Sequence, residues 1–190
     1  MKLCEIFSDT PYDYDGTLPD VEINDIVYDS RLARPDTLFV CLRGTSSNGH
    51  DFAPDAYRRG CRAFAVEQVI GLPADAIQIT VPYGRKALAD CSAAFFGYPA
   101  SRLQLIGVTG TKGKTSIAQL LYQVLNAIGI RTGAIGTNGI DFCGIHNQTI
   151  NTTPESYELH KTFSQMLSHG VTCCVMEVSS LGLSMGRVEG

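Results

Sequence analysis

No run of lysine or arginine interrupts this sequence. Acidic residues outnumber basic ones, 19 to 15, and the net charge is -4. The electrostatic footprint of a nucleic-acid binder is therefore missing, and no nucleic-acid partner is expected. No apolar run approaches the roughly 18 residues that a membrane span requires, so membrane insertion is not expected. The first fifteen residues carry Glu5, Asp9, Asp13 and Asp15 and lack an apolar core segment, so they are not expected to act as a secretory signal. No internal repeat and no low-complexity segment is visible. What remains is a chain of 190 residues, 44% of them hydrophobic, enough for one large domain or two small ones with real cores.

Cysteine is present in an odd number, seven. Cys41, Cys173 and Cys174 lie in apolar, strand-like runs, where a reduced thiol behaves as a small hydrophobe. A reduced, cytoplasmic protein is the simplest expectation. Cys143 and His146 have metal-like spacing, but no second pair follows, so zinc is a minor alternative.

The most informative stretch is Gly107-Val108-Thr109-Gly110-Thr111-Lys112-Gly113-Lys114-Thr115-Ser116. An apolar run, Leu103 to Val108, leads into it. An amphipathic pattern follows, with Ile117, Leu120, Leu121, Val124, Leu125 and Ile128 on one predicted helical face and Gly129 as its stop. Strand, glycine loop with Gly-Lys-Thr, then helix is the layout of a phosphate-binding loop. Backbone N–H groups from Gly110 to Ser116 can turn around phosphate oxygens, and the helix N-terminus adds its dipole. Lys114 can neutralise the outer phosphates, and the Thr115 hydroxyl can ligate Mg²⁺. The strict pattern would have glycine at position 108, where this chain has Val108. A glycine-rich turn that binds nothing is the plainer alternative.

Two segments are expected. The first, residues 1–98, alternates strand-like runs (Ile23–Tyr28, Thr37–Arg43, Arg62–Glu67, Ile77–Thr80) with helical stretches near Phe52–Arg59 and Tyr83–Phe96, as in a small α/β domain. Gly97 to Ser101 reads as a linker. The second, residues 99–190, runs strand, loop, helix, then a short strand near Thr132–Ile135 and a polar hairpin-like stretch. Thr153 and Pro154 suit the N-cap and first position of the next helix, and Val171–Val178 is a buried parallel strand. That strand delivers Glu177 near its carboxyl end, where open α/β sheets place ligands. Glu177 and Thr115 would then face one metal–nucleotide site. The alternative is a carboxylate satisfied by a lysine or a helix end. Only three strands of this second sheet are legible, which reads as an incomplete domain.

These residues resemble the Mur ligase family, most closely its tripeptide-synthetase (MurE) type. The resemblance runs from about Val21 to Gly190 and rests on ordered motifs. They are Tyr28-Asp29-Ser30-Arg31, Leu38-Phe39-Val40 leading to Gly44, Asn48-Gly49-His50, Gly97-Tyr98-Pro99, the phosphate loop, Asn151-Thr152-Thr153-Pro154-Glu155 and Glu177-Val178-Ser179-Ser180.

The resemblance implies a small N-terminal α/β domain that holds a uridine nucleotide, and a P-loop-type parallel-sheet domain, truncated here, that holds ATP and Mg²⁺. It implies an ATP-dependent ligase that adds L-lysine or meso-diaminopimelate to UDP-N-acetylmuramoyl-L-alanyl-D-glutamate through an acyl phosphate, in peptidoglycan synthesis. Carried over by position, Ser30, Thr45, Ser46 and Ser47 would contact the uridine nucleotide. Gly110, Thr111, Lys112, Gly113, Lys114, Thr115 and Ser116 would cradle ATP, with Lys114 and Glu177 catalytic and Thr115 and Glu177 at the metal. Asn151, Thr152, Thr153, Ser179 and Arg187 would hold the muramoyl-peptide end. Taken alone, Ser30 is a turn former, Thr152 and Thr153 are helix caps and Arg187 is a solvated arginine.

Three residues depart from the family pattern: Lys112 for Asn, Leu181 for His and Met185 for Gln. A divergent paralogue with another carboxylate substrate therefore stays open, as do a P-loop kinase or NTPase and a non-catalytic nucleotide-sugar module. The 190 residues alone are not expected to complete the reaction.

Overall fold

The computed structural model describes residues 1–44 and 47–190. Thr45 and Ser46, both expected at the uridine nucleotide, lie outside the described residues. The chain divides into two compact units, Met1–Phe95 and Phe96–Gly190.

The first unit is built on four strands: β1 (Asp25–Val27), β2 (Thr37–Val40), β3 (Ala63–Val66) and β4 (Ile77–Thr80). They lie side by side in chain order and all pair in parallel. Every residue of β2 and β3 is buried, as expected of parallel strands covered on both faces. Phe39 and Phe64 meet edge to face across these two strands, with centroids 6.1 Å apart. They share a core with Val27, Cys41, Val66 and the small residues Ala53 and Ala56 of α2 (Ala53–Arg58). The short α1 (Leu3–Ile6) packs against α3 (Gly84–Phe95).

The second unit has five strands: β5 (Gln104–Val108), β6 (Thr132–Gly136), β7 (Gly139–Phe142), β8 (Ile145–Asn147) and β9 (Cys173–Glu177). Their spatial order is β5-β9-β6-β7-β8. The first three in that order are parallel, and β7 and β8 extend the sheet as antiparallel neighbours. The sheet is thus mixed, and the polar stretch after β6 supplies its antiparallel part. Helix α5 (Ser156–Ser168) covers one face through Leu159, Phe163 and Met166, packed on Ile135, Cys174 and Met176. Helix α4 (Lys114–Ala127) covers the other face through Ala118, with Leu121 and Leu125 half-buried.

Two local expectations are corrected. The stripe expected to bury along α4 is only partly covered. Ile117, Leu120, Val124 and Ile128 stay exposed, because α4 turns Ala118, Leu121 and Leu125 to the sheet, against Ile106, Val108 and Val175. The N-cap of α5 is Glu155 rather than Thr153, and no side chain caps it. Thr153 is drawn inward instead and is fully buried.

All seven cysteines are free. Burial pushes the Cys41 and Cys91 thiols up to about 12, which keeps them protonated and inert. No helix among the described residues is long and apolar enough to cross a membrane.

His160 on α5 is buried in the second core against Phe163, and its Nδ1 has no partner. Burial lowers its pKa from 6.5 to about 4. The unfolded chain therefore takes up a proton between pH 6.5 and 4 that the folded chain refuses. Stability from this residue is complete above pH 6.5 and is lost as the pH falls toward 4. The loss should be on the order of 2–3 kcal/mol. His160→Phe should flatten that part of the stability–pH curve in urea titrations. An unaltered slope would show that the imidazole titrates freely in the folded state.

Candidate nucleotide and substrate site

The phosphate loop connects β5 to α4. Gly110 and Gly113 have φ of 149° and 82°, conformations that glycine enters without a side-chain clash. Gly113 serves as the N-cap, and Ile117 N–H donates to Gly113 O as the first bond of the helix (3.0 Å). The preceding N–H groups face out of the helix end. Thr111, Lys112 and Ser116 are exposed, while Lys114 and Thr115 are half-buried. The Lys114 ammonium arches back over the loop and donates to Gly110 O (2.8 Å). The loop is open, and its own cation already lies across its mouth.

Strand periodicity explains what faces it. On β9, Cys174 and Met176 point toward α5, so Val175 and Glu177 point toward α4. Register pairs Glu177 with Val108, the last residue before the loop. The Glu177 carboxylate, only 2% exposed, accepts from Thr115 Oγ1 at 2.9 Å. It also accepts from Thr137 N at 2.8 Å. A Cβ on Gly136 would stand 2.2 Å from Glu177 Oε1, so glycine is what lets the carboxylate lie against β6. The two residues expected at the metal therefore meet at the carboxyl ends of adjacent parallel strands. Thr115 and Glu177 supply oxygen donors of the kind Mg²⁺ takes when one carboxylate acts together with substrate phosphates.

Thr137 was not anticipated. It sits in the tight turn between β6 and β7 and links the two halves of the site. Its hydroxyl lies 3.0 Å from that of Thr152, and its amide holds Glu177. A turn residue at the carboxyl end of a parallel strand is the signal that could have found it.

The residues expected at the muramoyl-peptide end are distributed as follows. Asn151 is exposed and Thr152 half-buried. The Thr153 hydroxyl lies 3.0 Å from Glu177 O and accepts from Ser179 N at 2.9 Å, which ties the end of β9 to the segment before α5. Ser179 Oγ accepts from Gly182 N at 3.0 Å and so caps α6 (Ser180–Ser184). Arg187 is not solvated. Its side chain is 11% exposed, forms an ion pair with Glu155 (3.0 Å) and donates to Thr153 O (3.1 Å).

In the first unit, Ser30 and Ser47 line one open cleft of about 540 Å³ together with Tyr28, Phe52 and Asp55. Asp29 accepts from Arg31 N (3.0 Å) and pairs with its guanidinium, which lowers the Asp29 pKa. His50 of the Asn48-Gly49-His50 motif is structural. Its Nδ1–H donates to Asn48 Oδ1 (2.8 Å) and its Nε2 accepts from Glu67 N–H (2.9 Å), which pins the end of β3. Burial lowers its pKa, so the ring is held neutral. Cys143 and His146 do not assemble a metal centre. His146 pairs with Asp141 (2.7 Å), and among the described residues no group of three His, Cys, Asp or Glu could hold a metal ion.

Comparison with known proteins follows the same two-part division. A model of the Mur ligase family catalytic domain matches residues 22–96, and one of the Mur ligase middle domain matches residues 108–190. UDP-N-acetylmuramoyl-L-alanyl-D-glutamate–2,6-diaminopimelate ligase of Bacillus licheniformis is 44% identical over 174 residues, covering 90% of this chain and 35% of that protein. The ligase of the same name from Geobacillus thermodenitrificans is 41% identical over 192 residues, covering 100% of this chain and 38% of that protein. A solved structure of a ligase of that name superposes with a TM-score of 0.80 at 25% identity, over 100% of this chain and 38% of its own. A MurF ligase of Thermotoga maritima, solved in complex with ADP, shares the fold with a TM-score of 0.55 at 21% identity, covering 86% of this chain and 34% of that one. The chain thus spans little more than a third of the length of these relatives. With both units matching in order and a shared architecture throughout, the chain belongs to the Mur ligase family.

Proposed function

We propose that this chain is the substrate-binding and ATP-binding part of a cytoplasmic, ATP-dependent amide-bond ligase of peptidoglycan synthesis. The reaction joins a third amino acid to UDP-N-acetylmuramoyl-L-alanyl-D-glutamate. The names of the relatives favour 2,6-diaminopimelate over L-lysine. Residues 1–98 would form the uridine-nucleotide domain and residues 99–190 the ATP-binding domain. The observation that carries the reading is the 2.9 Å contact between Thr115 and Glu177 at the mouth of an open phosphate loop.

The chemistry assigned to each residue follows from its position. The loop N–H groups and the α4 N-terminus meet phosphate oxygens. Lys114 exchanges its carbonyl partner, Gly110 O, for the outer phosphates, where it opposes the charge that builds during phosphoryl transfer. Thr115 and Glu177 would hold Mg²⁺, which supplies Lewis-acid stabilisation of the transferred group. Thr137 keeps Glu177 oriented. Asn151, Thr152, Ser179 and Arg187 would present the carboxylate-bearing end of the substrate, with Thr153 positioning them from beneath. Ser30, Ser47 and the neighbouring Thr45 and Ser46 would take the uridine diphosphate.

Two outcomes test this assignment. Lys114→Ala should weaken ATP binding in calorimetry by about 10- to 100-fold, the equivalent of one charge-assisted hydrogen bond. Circular dichroism should show an intact fold, and an unchanged Kd would remove the loop from the site. Glu177→Gln keeps the shape but removes the charge. The gain in ATP affinity that Mg²⁺ gives the parent chain should fall by about 10-fold or more in this variant. Equal Mg²⁺ dependence in the two proteins would place the metal elsewhere.

A further inference from the structure

The cleft of the first unit contains a carboxylate to which the family motifs assign no role. Asp55, on α2, accepts a hydrogen bond from Ser30 Oγ at 3.2 Å. Arg58 and Arg59 stand 3.3 and 3.4 Å from it on the solvent side. Ser30 itself is 7% exposed, so little water competes for its hydroxyl. Ser30, Asp55 and the 46%-exposed ring of Phe52 line the same open volume.

A serine hydroxyl carries one proton and two lone pairs, while an ionised carboxylate only accepts. The Ser30–Asp55 contact therefore decides which way the serine proton points. Directed at Asp55, it leaves only lone pairs facing the cleft. A base lying on the Phe52 ring would meet an acceptor at that point. The Watson–Crick edge of uracil has a donor, N3–H, between two carbonyl acceptors. Cytosine has a bare lone pair at the same atom, so lone pair would oppose lone pair.

Building on the uridine reading above, we infer that Asp55 orients the Ser30 hydroxyl so that Ser30 accepts from uracil N3–H and selects uridine over cytidine nucleotides. Asp55 is a positioning residue that acts through Ser30. The residue types decide the selectivity: a hydroxyl alone would rotate to suit either base, and the carboxylate removes that freedom.

The test is calorimetric titration of the 190-residue chain with UDP, CDP and N3-methyl-UDP. The parent chain should bind UDP about tenfold more tightly than either of the others, the value of one directed hydrogen bond against an unpaired group. Asp55→Leu should bring UDP and CDP within about threefold of one another, chiefly by improving CDP binding, and should leave N3-methyl-UDP weak, because its methyl group offers the freed hydroxyl neither a proton nor a lone pair. Asp55→Asn should keep the preference, because its amide oxygen still accepts from Ser30. Should Asp55→Leu fail to fold, Ser30→Ala reads the same contact and must also abolish the preference. Equal binding of UDP and CDP by the parent chain, or a full preference in folded Asp55→Leu, would overturn the role of Asp55 while leaving the uridine cleft in place. A folded parent chain that binds neither diphosphate at millimolar concentration would overturn the cleft assignment as well.

Discussion

The arrangement of the second unit depends on one buried carboxylate. Glu177 ends an apolar strand, and a charge in that position is costly unless hydrogen bonds replace water. Thr115 reaches it from the start of α4 and Thr137 from the β6–β7 turn. Three strand ends and one helix N-terminus are thus held together by a group that would destabilise the fold if any of them withdrew. The same contacts keep a negative charge beside an open loop of unpaired amides. The geometry that satisfies the carboxylate is also the one that the proposed metal–nucleotide complex would require.

Much of this could be read along the chain, for local reasons. The strand–loop–helix order around Gly110–Lys114 follows from glycine conformation and helix periodicity within twenty residues. Glu177 stands out in the sequence because it is an acid at the carboxyl end of an otherwise apolar strand, where open α/β sheets place ligands. What was missed depends on partners far apart in sequence. Thr137 matters through Glu177, forty residues on. Asp55 matters through Ser30, twenty-five residues back. Taken apart from the family motifs, Arg187 looks like a solvated arginine, because nothing near it in sequence announces Glu155. The α4 stripe shows the limit of periodicity itself: it identifies a helix and its apolar face without showing how much of that face the sheet will cover.

The motifs of the first unit divide between scaffold and cleft. Asn48, Gly49 and His50 form a closed hydrogen-bonded turn whose neutral imidazole holds the end of β3. Tyr28 and Ser30, from the end of β1 and the turn after it, open onto the cleft instead. Motif residues close together in the sequence therefore serve different ends. Burial and hydrogen-bond saturation distinguish them: a side chain with every valence met inside the fold has nothing left to offer a ligand.

The β7–β8 hairpin has a consequence for handling the protein. Phe142 pairs with Ile145, leaving a two-residue loop in which Cys143 and Gly144 both adopt positive φ, 48° and 79°. Asparagine and glycine accept that geometry most readily, and cysteine has no conformational reason to be there. Its thiol is exposed, whereas five of the other six are buried. Replacing Cys143 with asparagine would remove an oxidation-prone group and relax the turn in one step. Retained, the thiol offers a solvent-accessible attachment point for a spectroscopic label.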